Sequence, residues 1–310
     1  MKYNIKDIAE NLTNKKIIKI KPIGHHELNR HYVYVLEFEN SPPKIFKIFG
    51  KKNRMCREIA ALNLLKNSNV KCPKEFEYGT LPDGKEWMIY EYINGDLLDN
   101  VICMMSKKQL YKIFISIGEE LGKIHSIKIF DFFGSWNEKG ESLDNIKDYY
   151  TYFTKSLQYQ YNELLIQHIE DKPLLIKAAE KLMENADLIK NINESRLCHN
   201  DFDGRNILVI CQNGKYFING VVDFEQSFPG NAEIDIARLY FRYFLKCKDF
   251  EKYFLIGYER YMKIDKGFFE RLNYYLLRIG FGICCWTYHK APKYYKQGLE
   301  LVKNYINKVK

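Results

Sequence analysis

Features that mark several classes of protein are missing from this sequence of 310 residues. No run approaches the roughly 18 apolar residues that a membrane-spanning helix needs. Residues 1–14 mix Lys, Asp, Glu and Asn without the apolar core of a signal peptide. There is no internal repeat, no low-complexity segment and no block of about five or more like charges. We therefore expect a globular cytoplasmic protein with neither a membrane nor a nucleic-acid partner.

The eight cysteines show no pattern typical of a zinc site or a disulfide framework. They are scattered without a C-x-x-C pair or a Cys/His spacing that would suit zinc. In a chain of this length such a distribution indicates reduced, mostly buried thiols and not a disulfide framework. The net charge of +9 is spread thinly along the chain, which is typical of a lysine-rich solvated surface.

Two halves of the sequence differ in pattern. Up to residue 91, β-branched and aromatic runs are separated by Gly, Pro and Asn, as in strands, whereas after Gly95 apolar residues recur at helical spacing. The predicted elements of the first half are strands at 17–20, 32–36, 44–49 and 87–90 and a helix at 54–65. Those of the second half are a helix with a capping box at Ser106, helices at 150–164 and 173–186, and short strands at 207–209 and 220–222. The sequence thus predicts an α+β fold.

The strongest chemical signal lies at residues 197–209. Here His199, Asp201 and Asn206 form the pattern H-x-D-x-x-x-x-N, directly before a short apolar strand. A second short strand starts 14 residues after Asn206 and ends on Asp223. Phosphoryl transfer needs a carboxylate that orients the attacking hydroxyl and takes its proton, and oxygen ligands that hold magnesium. If the two strands pair as a hairpin, Asn206 and Asp223 come close together, as shared binding of one metal ion requires.

This segment matches the catalytic loop and metal-binding segment of protein-kinase-like enzymes. Within that group the sequence resembles the aminoglycoside phosphotransferase and choline kinase family. The resemblance implies a two-lobed protein-kinase-like fold. Its antiparallel-sheet N-terminal lobe would cover residues 1–93, and its mostly helical C-terminal lobe would cover 94–310, with an inserted helical stretch at roughly 130–195.

The same resemblance implies roles for individual residues. Asp201 would be the catalytic base, and Asn206 and Asp223 would bind Mg²⁺. His199 would brace the loop, and Asn200 stands where the family often has Gly, at a position that varies. The partners would be a nucleoside triphosphate, either ATP or GTP, and a small hydroxylated acceptor. The alternative, in which Asp201 caps a turn and Asn206 satisfies loop backbone, is disfavoured because the first half of the sequence fits independently.

In that first half, Lys47 lies on a predicted strand, where a lysine can reach the α- and β-phosphates. Glu58 follows eleven residues later, early in the next helix. The resemblance makes the two an ion pair that holds the lysine in place. A lysine on an edge strand and a glutamate early in a helix are also common on surfaces. The downstream catalytic loop, in the right order, favours the functional interpretation.

Nucleotide contacts are also expected from two further segments. Glu91 and Ile93 resemble the interlobe hinge, whose backbone groups would bind the adenine edge. The loop at 23–30, expected to cover the phosphates, holds one glycine where protein kinases have three. His25 and His26 in this loop are expected to be exposed residues and not ligands.

The spacing after the second motif indicates a small acceptor. Only eleven residues separate Asp223 from Asp235, too few for the regulated activation segment of a protein kinase. Between His199 and Asp235, six acidic residues and two basic residues give a local net charge of −4, which would suit a cationic acceptor. A group of aromatic residues near the C-terminus would either cage a quaternary ammonium group or simply pack together. These are Trp286, Tyr288, Tyr294 and Tyr295.

We therefore predict an enzyme that transfers the γ-phosphoryl group of ATP or GTP to a hydroxyl group, with Mg²⁺. An aminoglycoside or related antibiotic is the first choice of acceptor, and choline, ethanolamine or a sugar the second. The rival from another class is a non-catalytic nucleotide-binding protein of the same fold.

Overall fold

The computed structural model describes residues 4–24, 26 and 30–309, so half of the loop expected to cover the phosphates, His25 included, lies outside the described residues. The chain forms two compact units. The first consists of residues 1–105, 137–141 and 204–226, and the second of residues 106–136, 142–203 and 227–310. This grouping differs from a single boundary at residue 93, because residues 204–226 join the first unit.

Helices and strands are numbered here in chain order. Up to residue 105 they are α1 (Ile5–Thr13), β1 (Ile17–Ile23), β2 (His31–Phe38), β3 (Lys44–Phe49), α2 (Met55–Leu65), β4 (Phe76–Thr80), β5 (Glu86–Glu91), β6 (Asp96–Leu97) and α3 (Leu98–Val101). From residue 106 onward they are α4 (Lys107–Ser126), β7 (Ile129–Phe130), α5 (Tyr149–Leu165), α6 (Lys172–Glu184), β8 (Ser195–Cys198), β9 (Ile207–Gln212), β10 (Lys215–Val221), β11 (Phe228–Gly230), α7 (Glu233–Leu239), α8 (Lys248–Tyr258), α9 (Phe268–Thr287) and α10 (Pro292–Tyr305).

Five strands of the first unit form an antiparallel sheet in the order β1-β2-β3-β5-β4, with β3 at its centre. Phe46 and Ile48 of β3 enter a hydrophobic core with Trp87 of β5 and Ala9 of α1. Because successive side chains of a strand point to opposite faces, Lys47 lies on the other face of the sheet. The predicted antiparallel sheet is confirmed, and α1 and β4 are additional elements.

A second sheet of the first unit has the order β10-β9-β6. Its strands β9 and β10 form the predicted hairpin, with Ile207 opposite Val221. β6 extends this sheet through Asp96, which lies opposite Val209. Gly95 precedes β6 with φ +147°, and a Cβ atom there would lie 2.8 Å from the carbonyl oxygen of Val209. This pairing is one of the contacts that join residues 204–226 to the rest of the first unit.

The second unit is mainly helical, as predicted. Ser106 caps α4 with the expected capping box, in which its side chain accepts from the Gln109 N–H. The helices α5 and α6 cover the two stripes identified in the sequence. A small sheet of order β11-β8-β7 lies among these helices, and β8 leads directly into His199. Within the described part of the chain, every helix is too short or too polar to cross a lipid bilayer.

The helices α4 and α8 cross at a contact that only glycine permits. A Cβ atom on Gly118 of α4 would lie 2.1 Å from the carbonyl oxygen of Phe254. On the partner helix, a Cβ atom on Gly257 would lie 1.9 Å from the carbonyl oxygen of Ile115. Both distances are far below van der Waals contact, so the two backbones approach as closely as their atoms allow.

We predict that Gly118→Ala destabilises the protein by about 3 kcal/mol, because the methyl group forces α4 and α8 apart. Alanine has a better helix propensity than glycine by about 1 kcal/mol, so a loss of stability must come from the crossing. Urea unfolding monitored by circular dichroism measures the effect. Lys112→Ala, at an exposed position of α4, is the control and should change little. Equal stability of the two variants would contradict the close crossing.

Candidate active site

Lys47 is the most unusual side chain of the first unit, because it is charged and only 1% exposed. A buried ammonium group needs compensating charges, and three carboxylates provide them. Its Nζ lies 2.7 Å from Asp223 Oδ1, 2.8 Å from Glu58 Oε2 and 3.1 Å from Glu225 Oε2. Burial alone would lower the pKa of Lys47, but these carboxylates outweigh it and raise the pKa well above its ordinary value. The lysine is therefore firmly charged.

Glu58 comes from α2 and is 2% exposed, so the structure brings it to Lys47 as expected. Burial and the nearby charges of Asp223 and Glu225 outweigh the attraction of Lys47 and raise the pKa of Glu58 to about 7. One lysine cannot fully compensate three carboxylates at this distance. The incomplete compensation is visible in the raised pKa of Glu58.

Glu225 joins the cluster from the turn after β10. In the sequence it is one of the six acidic residues between His199 and Asp235, without a pattern that pairs it with Lys47. His31 Nδ1 lies 3.2 Å from one carboxylate oxygen and Arg30 Nη2 lies 3.4 Å from the other. Burial favours the neutral acid, but Lys47 and His31 outweigh it and hold the pKa of Glu225 well below its usual range. Arg54 adds a hydrogen bond to the Glu225 carbonyl oxygen at 3.4 Å. Arg30, just before β2, and His31, its first residue, are thereby tied to the turn.

Asn206 and Asp223 lie at the same end of the β9–β10 hairpin. The Val222 N–H donates to the Asn206 carbonyl oxygen at 2.9 Å. This hydrogen bond places Asn206 beside the residue that precedes Asp223. Asn206 is 7% exposed. Asp223 has φ +66°, a left-handed conformation that costs a non-glycine residue free energy and is often found at functional sites.

These two side chains fit a divalent magnesium ion. An amide oxygen and a carboxylate are hard oxygen ligands of the kind that Mg²⁺ prefers. Glu58, Asp223 and Glu225 also have oxygen atoms within 4.8 Å of one another. The Lys47 ammonium group already contacts all three of these carboxylates. The cation of this cluster is therefore the lysine.

The second unit holds the segment that contains Asp201. Asp235, at the start of α7, accepts hydrogen bonds from the backbone N–H groups of His199 and Asn200, both at 2.7 Å. Its carboxylate also contacts Nε2 of His125 at 3.1 Å, and Nδ1 of His125 contacts the Tyr258 hydroxyl at 2.8 Å. Although burial favours the neutral acid, the hydrogen bond and charge of His125 lower the pKa of Asp235. An ionised carboxylate thus fixes the backbone just before Asp201.

Asn200 and Asp203 flank Asp201 and have partners of their own. Asn200 has φ +60°, and its side-chain oxygen accepts from Arg238 Nη2 at 3.0 Å. Asp203 Oδ2 lies 3.6 Å from Arg242 Nε. Asp203 is 4% exposed, whereas Asp201 is half-buried. Of these two carboxylates, Asp201 is the more accessible.

The two expected hinge residues lie at and after the end of β5. The Glu91 N–H donates to the Glu75 carbonyl oxygen at 3.2 Å, so this donor is engaged within the sheet. Ile93 is half-buried, and a Cβ atom on Gly220 would lie 2.8 Å from its Cγ2 atom. His26 does not follow our expectation of an exposed side chain, because its Nε2 atom lies 3.1 Å from the Val33 N–H and its ring packs between tyrosines.

A comparison with protein-family models decides the affiliation. Residues 19–267 match the family described as phosphotransferase enzyme family, APH. The chain belongs to this phosphotransferase family. The prediction of a phosphotransferase is thereby confirmed at the level of the family. A search of the curated proteins finds no significant match to the sequence.

Solved structures share the fold of this phosphotransferase at low sequence identity. A thermostable mutant of the aminoglycoside phosphotransferase APH(4)-Ia, in its apo form, is 14% identical with a TM-score of 0.74, covering 97% of this chain and 99% of its own. Aminoglycoside 2'-phosphotransferase-IIIa in its GDP complex is 14% identical with a TM-score of 0.67, covering 97% and 96%. A protein from Thermobifida fusca assigned as a fructosamine-3-kinase is 14% identical with a TM-score of 0.64, covering 98% and 99%. The predicted protein-kinase-like fold class is confirmed.

We predict that Lys47→Met lowers the free energy of unfolding by about 3–5 kcal/mol, because the buried Glu58 and Glu225 and the half-buried Asp223 lose the cation that they share. Urea unfolding at several pH values measures it. The deficit should shrink as the pH falls, since protonation removes the uncompensated charge. Lys44→Met on the same strand is the matched control. Its Nζ lies 3.5 Å from the exposed Glu77, a surface contact worth about 1 kcal/mol or less. Equal losses in both variants would contradict the cluster.

Proposed function

We propose that this phosphotransferase moves the γ-phosphoryl group of ATP or GTP onto a hydroxyl group of a small molecule. The observation that carries the proposal is the contact of Lys47 with both Glu58 and Asp223 beside Asn206 at the hairpin end. Phosphoryl transfer depends on such positioned charges, because the protein contributes orientation and electrostatic stabilisation. A protein that only bound nucleotide would have no need of the accessible Asp201.

The nucleotide would be held mainly by the first unit. The charged Lys47 would bind the α- and β-phosphates, and Glu58 would keep it in place. Because the Glu91 N–H is engaged by Glu75, the adenine edge would be bound through the Glu91 carbonyl oxygen and the Ile93 N–H. ADP is bound in a ternary complex of APH(4)-Ia, and GDP in 2'-phosphotransferase-IIIa. We therefore propose either ATP or GTP as the phosphoryl donor.

Asn206 and Asp223 would hold Mg²⁺, which when bound neutralises charge on the phosphates. Asp201 would accept the proton of the acceptor hydroxyl as its oxygen forms the new bond to the γ-phosphorus and the bond to the diphosphate breaks. The hydrogen bonds from His199 and Asn200 to Asp235 would restrict the motion of Asp201. Such positioning can be worth several kcal/mol of the barrier.

The acceptor is proposed only as a small hydroxylated molecule. The local charge of −4 first favoured an aminoglycoside, but most of these acidic residues have cationic partners. Asp223 and Glu225 contact Lys47, Asp203 contacts Arg242, and Glu233 contacts Arg271. The charge argument for a polycation is therefore lost. An aminoglycoside is still a candidate acceptor, because APH(4)-Ia binds hygromycin B in a ternary complex. A sugar-type molecule is the other candidate.

The C-terminal aromatic residues favour packing over a choline cage. Tyr288 meets Tyr295 edge-on at 5.1 Å, and Trp286 meets Tyr294 at 5.9 Å. Tyr295 is 7% exposed and its hydroxyl donates to Asp171 at 2.9 Å. Rings that pack on one another offer few free faces to a quaternary ammonium group.

The catalytic base can be tested by Asp201→Asn, which keeps the shape and removes the charge. We predict a fall in kcat of roughly 10²-fold or more with nearly unchanged nucleotide affinity, because the base acts on the acceptor. Coupled detection of nucleoside diphosphate, with an acceptor found by screening aminoglycosides, choline and sugars, gives kcat and KM. Asp203→Asn is the matched control. If Asp203→Asn were inactive and Asp201→Asn had normal activity, the catalytic base would be Asp203 and not Asp201.

The metal ligands can be tested by Asp223→Ala. Turnover should fall below about a few per cent, because the charge that would hold Mg²⁺ is lost. The Mg²⁺ concentration needed for half-maximal nucleotide binding should rise as well. Circular dichroism checks that the variant is folded. Full activity of Asp223→Ala at the same Mg²⁺ concentration would exclude the assignment.

A further inference from the structure

Arg278 differs from most arginines of the second unit in having no acidic partner. The sequence places six arginines in this unit, and four of them contact carboxylates: Arg196, Arg242, Arg260 and Arg271. Arg238 bonds to Asn200. Among the residues that the structure describes, no carboxylate oxygen lies within ion-pair distance of the Arg278 guanidinium. Its charge is therefore not neutralised by the protein.

The surroundings of Arg278 are polar but neutral. On α5, Gln160 Oε1 accepts from Nη1 at 2.8 Å and Ser156 Oγ accepts from Nη2 at 3.3 Å. The guanidinium carbon lies 5.5 Å from the centre of the Phe153 ring. Burial is the main influence on this group and lowers the pKa of Arg278. An arginine remains charged even so, so a partly desolvated cation is left with neutral neighbours.

The Nε–H group of Arg278 is open to a ligand. The residue is half-buried, and none of its nitrogen atoms is among the buried atoms that lack a partner. Nη1 and Nη2 bond to Gln160 and Ser156, and the Nε–H, for which the described residues offer no partner, therefore reaches solvent. Gly282, one turn later on α9, leaves room beside the group, since a Cβ atom there would lie 3.0 Å from Nη1. A fixed guanidinium with a solvent-accessible N–H group is suited to bind an oxyanion.

Aromatic side chains connect this position to the strand that leads into the Asp201 segment. Phe153 lies 5.9 Å from Tyr149, and Tyr152 of the same helix lies 5.3 Å from Phe228, ring centre to ring centre. Phe228 is paired with Cys198 across β11 and β8, and Cys198 immediately precedes His199. Tyr149 and Tyr152 pack on each other at 6.2 Å, so a series of packed rings connects Arg278 to the strand that precedes the proposed catalytic base, within the same unit.

We propose that Arg278, held by Gln160 and Ser156, binds an anionic group of the acceptor, either a carboxylate or a phosphate. The inference rests on the proposed kinase function and makes it more specific: the acceptor is a hydroxylated molecule that also carries a negative charge. This class differs from the polycationic acceptor that the acidic residues first favoured. A purely structural Arg278 would join α5 to α9 and would not affect the choice of acceptor.

The decisive variant is Gln160→Glu, which places a carboxylate where Gln160 now accepts from the guanidinium. An internal ion pair would neutralise Arg278 without removing it and would preserve the contact between α5 and α9. If Arg278 binds an anion, Gln160→Glu must weaken that binding by at least about tenfold. If Arg278 is only structural, the variant keeps its affinity for anions. Gln158→Glu, on the exposed side of α5, is the control for the added charge.

Binding is measured first, by calorimetry with inorganic phosphate and, separately, with acetate, in the presence of saturating ADP. We expect one of the two anions to bind the wild type and the Gln158→Glu control, and to bind Gln160→Glu and Arg278→Gln at least about tenfold more weakly. Binding that is absent from the wild type, or equal in all four proteins, would overturn the inference. Since this measurement requires no turnover, its result does not depend on the kinase assay.

Turnover then compares glucose, glucosamine, glucuronate and glucose 6-phosphate, which differ mainly in charge. A preference for an anionic member, lost in Gln160→Glu through a raised KM at similar kcat, is the expected result. Turnover of the neutral or cationic members alone, unchanged in Gln160→Glu, would refute the anionic acceptor while supporting the kinase. Nucleotide binding without turnover of any acceptor, aminoglycosides included, would count against the kinase itself, and the calorimetry would still decide the role of Arg278.

Discussion

The buried charge of Lys47 constrains the first unit more than any other interaction. An ammonium group on the central strand of a sheet cannot remain buried unless carboxylates reach it. Those carboxylates come from α2 and from the segment after β10, which are distant in sequence. Formation of the cluster therefore requires that three separate parts of the chain come together correctly. The groups proposed to handle phosphates are also the groups that hold the unit together, so stability and function are coupled at these atoms.

Asp235 has the corresponding role in the second unit. It is fully buried, and its two oxygens are used by two backbone N–H groups and by His125. His125 comes from α4 and its other partner, Tyr258, from α8. The close crossing of these helices at Gly118 and Gly257 sets the distance between them. Tight helix packing is thereby transmitted through hydrogen bonds to the backbone just before Asp201, although no helix supplies that residue.

Much of this arrangement could be predicted from the sequence, because it depends on local signals. The β-branched runs predicted β1, β2, β3 and β5, the Ser106 capping box predicted the start of α4, and the spacing of Asn206 and Asp223 predicted the hairpin. These elements are fixed by periodicity and by chemistry within about 20 residues. Lys47 and Glu58 were found in the same way, through a strand and the helix that follows it.

What could not be predicted depends on contacts between distant residues. The pairing of Glu225 with Arg30 and His31 has no local pattern, because the residues lie almost 200 positions apart. The addition of residues 204–226 to the first unit depends on the contacts of Asp223 and Glu225 with Lys47 and on the pairing of β6 with β9, and a strand of two residues leaves almost no signal. The short edge strand β4 is mostly exposed, so it lacks the apolar alternation by which strands are recognised.

The same distinction governs what charge can indicate about a ligand. A local sum over the sequence counts Asp203, Asp223, Glu225 and Glu233 as acidic, but a ligand is attracted only by charge that the protein itself has not neutralised. Pairing removes most of the negative charge of this segment, whereas Arg278 gains in importance because none of the described carboxylates lies within ion-pair distance of it. Charge available to a ligand is therefore a property of three-dimensional pairing and not of composition. For the proposed acceptor site, one cation with neutral partners is more informative than several acidic residues that have cationic ones.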